Sequence, residues 1–203
     1  MRRLMCCLAL AVASAATAGG VAAGDEFLVD PSQTFVVLGV KSFGRSYVFG
    51  RFNRVQGAFR LDPDPRKCSF RLIIEAGSLD TNDPRRDARW RGPELLQAGQ
   101  YPLIALQGTA VQVVADEAGT TYRLAGELTM GGATQPVEWV FRKVGEGPGP
   151  SGGEFRCGFH GEKLLERSAF GMTLLRGEVG EELALTVSFE GVRQMAAAAT
   201  PLP

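Results

Sequence analysis

Residues 68–102 read CSFRLIIEAGSLDTNDPRRDARWRGPELLQAGQYP. Cys68, Phe70, Leu72, Ile74 and Ala76 alternate with Ser69, Arg71, Ile73 and Glu75, and this two-residue repeat predicts a half-buried strand. From Ser78 the pattern gives way to an arginine-rich, proline-punctuated stretch, and the chain becomes extended and apolar again at Tyr101. Pro84 suits the first turn of a helix capped by Asn82 or Asp83, so one short helical insert is expected near residues 84–96. A chain of strands interrupted once by a charged helix points to a sheet closed around an interior.

The same strand signal recurs on both sides of this stretch. Residues 35–41 and 47–61 flank the turn at Phe43-Gly44, and the DPDP run at 62–65 must itself turn, because two prolines cannot sit in a central strand. Residues 103–114 form the next strand. Tyr122, Leu124, Gly126, Leu128 and Met130 then alternate with Arg123, Ala125, Glu127 and Thr129, and Gly131-Gly132 closes the run. Val137, Trp139 and Phe141 share one face of a further strand, ahead of an exposed glycine–proline loop expected over 145–153. Phe155, Cys157 and Phe159 follow, then Leu183, Leu185, Val187 and Phe189. About eight antiparallel strands with hairpin-sized connections make the fold all-β, a barrel or a sandwich. An eight-stranded barrel holds packed side chains or one slender ligand.

The first residues are set apart from this fold. Arg2 and Arg3 precede an alanine-rich apolar core and small residues at Ala16, Ala18, Val21 and Ala23, so 1–23 is expected to be a cleaved export signal. The core is too short for a membrane-spanning helix. Met5 stands where lipoprotein processing at Cys6 would need a small residue. A barrel domain is expected over 24–194 and a frayed tail over 195–203. Residues 1–23 hold two arginines and no acid, so the 22 basic and 22 acidic residues of the chain leave a net charge of about −2 without them. Nucleic-acid binding, which needs a basic excess, is not indicated.

Several segments taken in order resemble one family. They are DPSQTFVVLGVKSFG, VFGRFNRVQGAFRLDP, the 78–102 insert, GELTMGGATQPVEWVF and RSAFGMTLLRGEVGEELALTVSFEGV. Together they look like the YceI-like family of lipocalin-like, polyisoprenoid-binding exported bacterial proteins, over roughly 28–193. The resemblance implies an eight-stranded antiparallel lipocalin-like barrel with a helix near one end and an apolar tunnel for an isoprenoid tail. It implies binding rather than catalysis, and a periplasmic carrier or reservoir for an isoprenoid quinone or polyprenyl phosphate. That ligand aside, no cofactor is implied. The chain departs from the family's usual histidines at Gln33, Ser42 and Arg89, so the tunnel is carried over and the head-group specificity is not.

Strand parity and bulk nominate Phe35, Val37, Phe59, Phe70, Leu72, Leu124, Leu128, Phe141, Phe159, Leu185 and Val187 as the tunnel wall. The same residues could fill an ordinary core, which would make the protein a stress-related structural or interaction module. Gly39, Gly50, Gly57 and Gly126 either leave room in the bore or mark bends. Arg85, Arg86 and Arg89 are candidates for an anionic head group at the barrel mouth, guanidinium forks matching phosphate oxygens. The plainer reading pairs them with Asp80, Asp83, Asp87 or Glu94 on a solvated helix face. Cys68 and Cys157 face inward and are either bridged or two buried single thiols. His160 is the only histidine, which excludes a histidine-based metal cluster, and no catalytic motif is visible. Contact with a membrane surface and homodimer formation are compatible with this pattern.

Overall fold

The computed structural model describes residues 24–194 except 118, 151, 174 and 176; the export signal expected over 1–23 and the tail expected over 195–203 lie outside the described residues. The strand segments are β1 (Asp25–Val29), β2 (Phe35–Ser42), β3 (Ser46–Phe52), β4 (Val55–Leu61), β5 (Ser69–Glu75), β6 (Leu79–Asp80), β7 (Leu103–Asp116), β8 (Gly119–Met130), β9 (Ala133–Pro148), β10 (Phe155–Glu166) and β11 (Val179–Arg193). One helix, α1 (Pro84–Trp90), follows β6. β1, β4, β5, β7, β8, β9, β10 and β11 pair antiparallel in that order, and β1 pairs back onto β11. The ring closes at eight.

Eleven segments make eight strands because the first strands of the ring are broken. β1 pairs with β11 at Gly191–Arg193, and β2 takes over along the same partner from Ser188 to Val179. Between them Pro31 opens a 3-10 turn, its Asp30 cap accepting from the Ser32 N–H at 2.9 Å. Arg156 on β10 pins this break: Nη1 reaches Asp30 at 2.9 Å and Glu190 at 2.7 Å, and Nε reaches Glu154 at 2.6 Å. The 47–61 strand breaks likewise at Asn53-Arg54, where the Ser78 hydroxyl accepts from the Arg54 N–H at 3.0 Å. The short first segment β1 was not legible in the sequence.

Two local expectations change. The helix stops at Trp90 rather than running to 96, since Gly92 and Pro93 cannot continue it. Residues beyond it fold into turns closed by Leu96 N–H to Trp90 O at 3.0 Å and Ala98 N–H to Arg91 O at 2.9 Å. The glycine–proline run is partly strand: β9 continues to Pro148, and Phe155 pairs with Pro148. Backbone ladder bonds need no side chain, so a proline at the strand end and the glycines Gly145 and Gly147 are tolerated.

The insert caps one end of the barrel. Trp90, Leu95 and Leu96 are buried beneath it, the Thr173 N–H donates to Glu94 O at 3.0 Å, and Gln97 Nε2 donates to Gly131 O at 3.4 Å. A cleft opens beside the insert at the β2–β3 turn, and this end is called the mouth. The β1 end, with the long β7–β8 hairpin, is the closed end.

Candidate functional site

The inward faces divide the bore into two zones. Toward the mouth the wall is aliphatic: Val36, Leu38 and Val40 on β2, Leu72 and Ile74 on β5, Leu106 on β7, Leu128 and Met130 on β8, and Leu183, Leu185 and Val187 on β11 are all buried. Toward the closed end it is aromatic. Phe70 and Phe159 meet edge to face with centroids 5.2 Å apart. Their strands β5 and β10 stand four places apart in a ring of eight, so opposite walls touch there. Phe59 also meets Phe159 at 5.3 Å, Phe141 meets Phe189 at 5.3 Å, and Phe27 stacks on Phe59 at 4.7 Å. A bore open from end to end is therefore ruled out, because the rings plug its aromatic half.

Of the nominated wall residues, Phe59, Phe70, Leu72, Leu124, Leu128, Phe141, Phe159, Leu185 and Val187 point inward and are buried. Phe35 and Val37 do not. Phe35 lies on the outer face, 44% exposed, with the Arg51 guanidinium 4.3 Å above its ring, and Val37 shares that face. The run FVVLGV is apolar at every position, so no alternation fixed its parity, and aromatic bulk favoured the wrong register. The glycines do not open the bore either. Gly39 faces outward under the Phe49 ring, Gly50 is filled by Leu79, Gly57 backs onto Leu72, and a Cβ on Gly126 would run into the Gln107 carbonyl.

Trp139 belongs to the wall and was missed, although its parity matches that of Phe141. It stacks on Phe141 at 5.5 Å and is fully buried, with Nε1 lacking an acceptor among the described residues. Its N–H edge faces Gly161, where a Cβ would come within 2.6 Å of Nε1. This donor sits where the aromatic zone meets the aliphatic one.

The two cysteines are not bridged. Cys68 enters β5 and Cys157 lies on β10, on opposite sides of the ring, so sharing an inward parity does not bring them together. The Cys68 thiol is engaged by its own turn, accepting from the Asp62 N–H at 3.2 Å. Burial pushes the Cys157 thiol up to about 12 and also raises Cys68. Both are protonated and unreactive at neutral pH.

At the mouth, Arg85, Arg86 and Arg89 on α1 come together with Val40 and Phe43 of the β2 end, Val48 of β3 and Val179 of β11. They enclose a cleft of about 330 Å³ whose floor is apolar and whose rim is cationic. The helix presents its arginines there because Asp83 caps it, accepting from the Arg85 and Arg86 N–H groups at 2.9 and 3.2 Å. Trp90, one turn beyond Arg86, is buried and lines the same cleft. The acids expected to pair with the arginines are used elsewhere. Asp80 accepts from the Asn82 N–H, and Asp87 is buried against Thr81 and within 3.6 Å of Arg91. Burial pushes the Asp87 carboxyl up, but its bonds from Thr81 and the charges of Arg91 and Arg86 outweigh that and hold it below its ordinary value. Arg86 is steadied by the Thr81 hydroxyl at 2.9 Å and its carbonyl at 2.7 Å. Among the described residues none of the three arginines forms an ion pair within 4.0 Å, and Arg86 acts on Asp87 only through its charge.

No three His, Cys, Asp or Glu side chains among the described residues are grouped to hold a metal ion. Comparison with known proteins agrees with the geometry. A UPF0312 protein of Pseudomonas paraeruginosa is 33% identical over 189 residues, covering 92% of this chain and 96% of its own. A UPF0312 protein of Pectobacterium carotovorum is 32% identical over 186 residues, covering 91% and 94%. The crystal structure of Burkholderia cenocepacia BcnA matches with a TM-score of 0.68 at 20% identity, covering 80% of this chain and 98% of that one. A polyisoprenoid binding domain from Saccharophagus degradans matches with a TM-score of 0.62 at 12% identity, covering 83% and 98%. The model of the YceI-like domain matches residues 27–191, and this chain belongs to the YceI-like family.

Proposed function

We propose that this chain is a lipid-binding protein that takes an isoprenoid chain into the aliphatic half of the barrel, tail first, with the head group at the arginine rim. The observation that carries this reading is the mouth cleft. Three guanidinium groups that form no close ion pair stand over an apolar floor whose Val40 is also part of the bore wall. Such a site suits an amphiphile: tail burial contributes roughly 25 cal/mol per Å² of apolar area, and the arginine forks suit phosphate or carbonyl oxygens. The Saccharophagus degradans domain, described as polyisoprenoid-binding, has the same fold. In this reading the protein is a periplasmic carrier or reservoir for a quinone or polyprenyl phosphate, and it binds without catalysing a reaction.

The test is mass spectrometry of an organic extract of natively purified protein, followed by titration with a quinone and a polyprenyl phosphate. The expected result is a co-purifying prenyl lipid, or saturable uptake that weakens in Arg85→Ala/Arg89→Ala. Empty extracts together with no uptake of either lipid would end this reading.

The ring contacts between Phe70 and Phe159 favour a second one, a stress-related structural or interaction module with a filled core. The same titration separates the two, since a filled barrel takes up no lipid.

A further inference from the structure

We propose that the outer face of the β2–β3 hairpin docks on an anionic bilayer surface. The proposal goes beyond ligand binding in the bore and does not depend on it. Phe35, Phe43, Tyr47 and Phe49 all stand on this hairpin, from 44% to 64% exposed, and they are the only highly exposed aromatic side chains among the described residues. Phe43 is held out at the turn with φ 48°, a backbone conformation unfavourable for a residue with a side chain, while its N–H is tied to Glu178 O. Tyr47 and Phe49 lie side by side with centroids 6.3 Å apart, and Phe49 covers Gly39 on the neighbouring strand.

Cations are interleaved with these rings. The Arg45 guanidinium sits 5.4 Å from the Phe43 ring and that of Arg51 sits 4.3 Å from Phe35, while Lys41 pairs in register with Tyr47. Lys41, Arg45 and Arg51 have no ion-pair partner among the described residues, like the arginines of the adjacent mouth. The nearby acids are Asp80, opposite Arg51 and accepting from the Asn82 N–H, Glu178 and Glu182 beside the hairpin, and Glu181, which accepts from the Ser168 N–H. Aromatic rings mixed with unpaired cations on one outer face match the headgroup layer, where amphipathic rings settle and basic residues meet anionic lipids. Phe43 lines both this face and the mouth cleft, so docking would bring the mouth to the lipid headgroups.

Flotation with vesicles free of isoprenoids tests this, using phosphatidylcholine with and without phosphatidylglycerol. Binding is expected only with phosphatidylglycerol, and it should fall as salt rises. Arg45→Glu and Arg51→Glu should each weaken binding at least about fivefold, and Tyr47→Ser should weaken it while thermal melting stays unchanged. Absence of flotation by folded wild type at low salt would overturn the proposal, as would full binding by all three variants. A dimer in sedimentation velocity that Tyr47→Ser dissociates would assign the face to a second copy and overturn it too. Vesicle binding without lipid uptake would leave the docking face and remove the carrier reading; uptake without vesicle binding would do the reverse.

Discussion

The Phe70 and Phe159 rings meet edge to face at 5.2 Å from diametrically opposite strands of the barrel. One contact therefore sets how deep a ligand can reach. Phe159→Ala should cost about 3–5 kcal/mol in chemical denaturation, the range for removing a buried ring. The cavity it leaves should also lengthen the usable bore. In a prenyl-lipid uptake assay the variant should shift preference toward longer tails, and an unchanged chain-length profile would show that the rings do not set the depth.

Trp139 gives a contrasting case. Its buried Nε1 has no acceptor among the described residues, and an unmet buried donor costs about 1–3 kcal/mol. Trp139→Phe removes that cost while losing some ring volume, so the two effects should nearly cancel. Stability of lipid-free protein is expected to stay within about 1 kcal/mol of wild type. A large loss would mean that the indole N–H has a partner, such as an ordered water.

The buried acids of the closed end predict sensitivity to alkali. Burial raises Cys157 from 9.0 to about 12 and Tyr122 from 10.0 to about 12. The folded protein then holds these protons while the unfolded chain releases them, so stability is fully present below pH 9 and falls as pH rises toward 12. Denaturation midpoints measured across that window should decline, and less so in Cys157→Ala. At pH 8 a thiol reagent should modify neither Cys68 nor Cys157 until denaturant is added, with no reductant needed. A flat pH profile, or thiols that titrate only after reduction, would contradict this account.

The two glycines Gly126 and Gly39 should respond very differently to alanine. At Gly126 the added Cβ would overlap the backbone of β7, which cannot move without opening the β7–β8 ladder. At Gly39 it would press on the exposed Phe49 ring, which can swing into solvent. Gly126→Ala is expected to cost more than about 4 kcal/mol and Gly39→Ala about 1 kcal/mol. Thermal melts of the two variants side by side check the ranking.

The strands that alternate cleanly were legible in the sequence. Leu124 and Leu128 face inward and Arg123 and Glu127 outward, as their polarity dictates. The Asp83–Pro84 helix start was legible too, because capping is local. Phe35 and Val37 were misplaced because an all-apolar strand carries no parity. The bridge between Cys68 and Cys157 stayed open as a possibility because a shared inward parity says nothing about distance. The unpaired state of Arg85 and Arg89 could not be read either, since it depends on Asp83 and Asp87 being committed to the backbone and to Thr81.

The amino-acid order by itself determined the all-β class, the helical insert and most of which side chains face in, because each follows from the two-residue period of a strand or from neighbours along the chain. Only the closed ring decided that Phe70 touches Phe159, that the cysteines stay apart and that three arginines share the mouth with valines of other strands. Those relationships are distances across a barrel, set by strand number, strand breaks and register, and no local period encodes them.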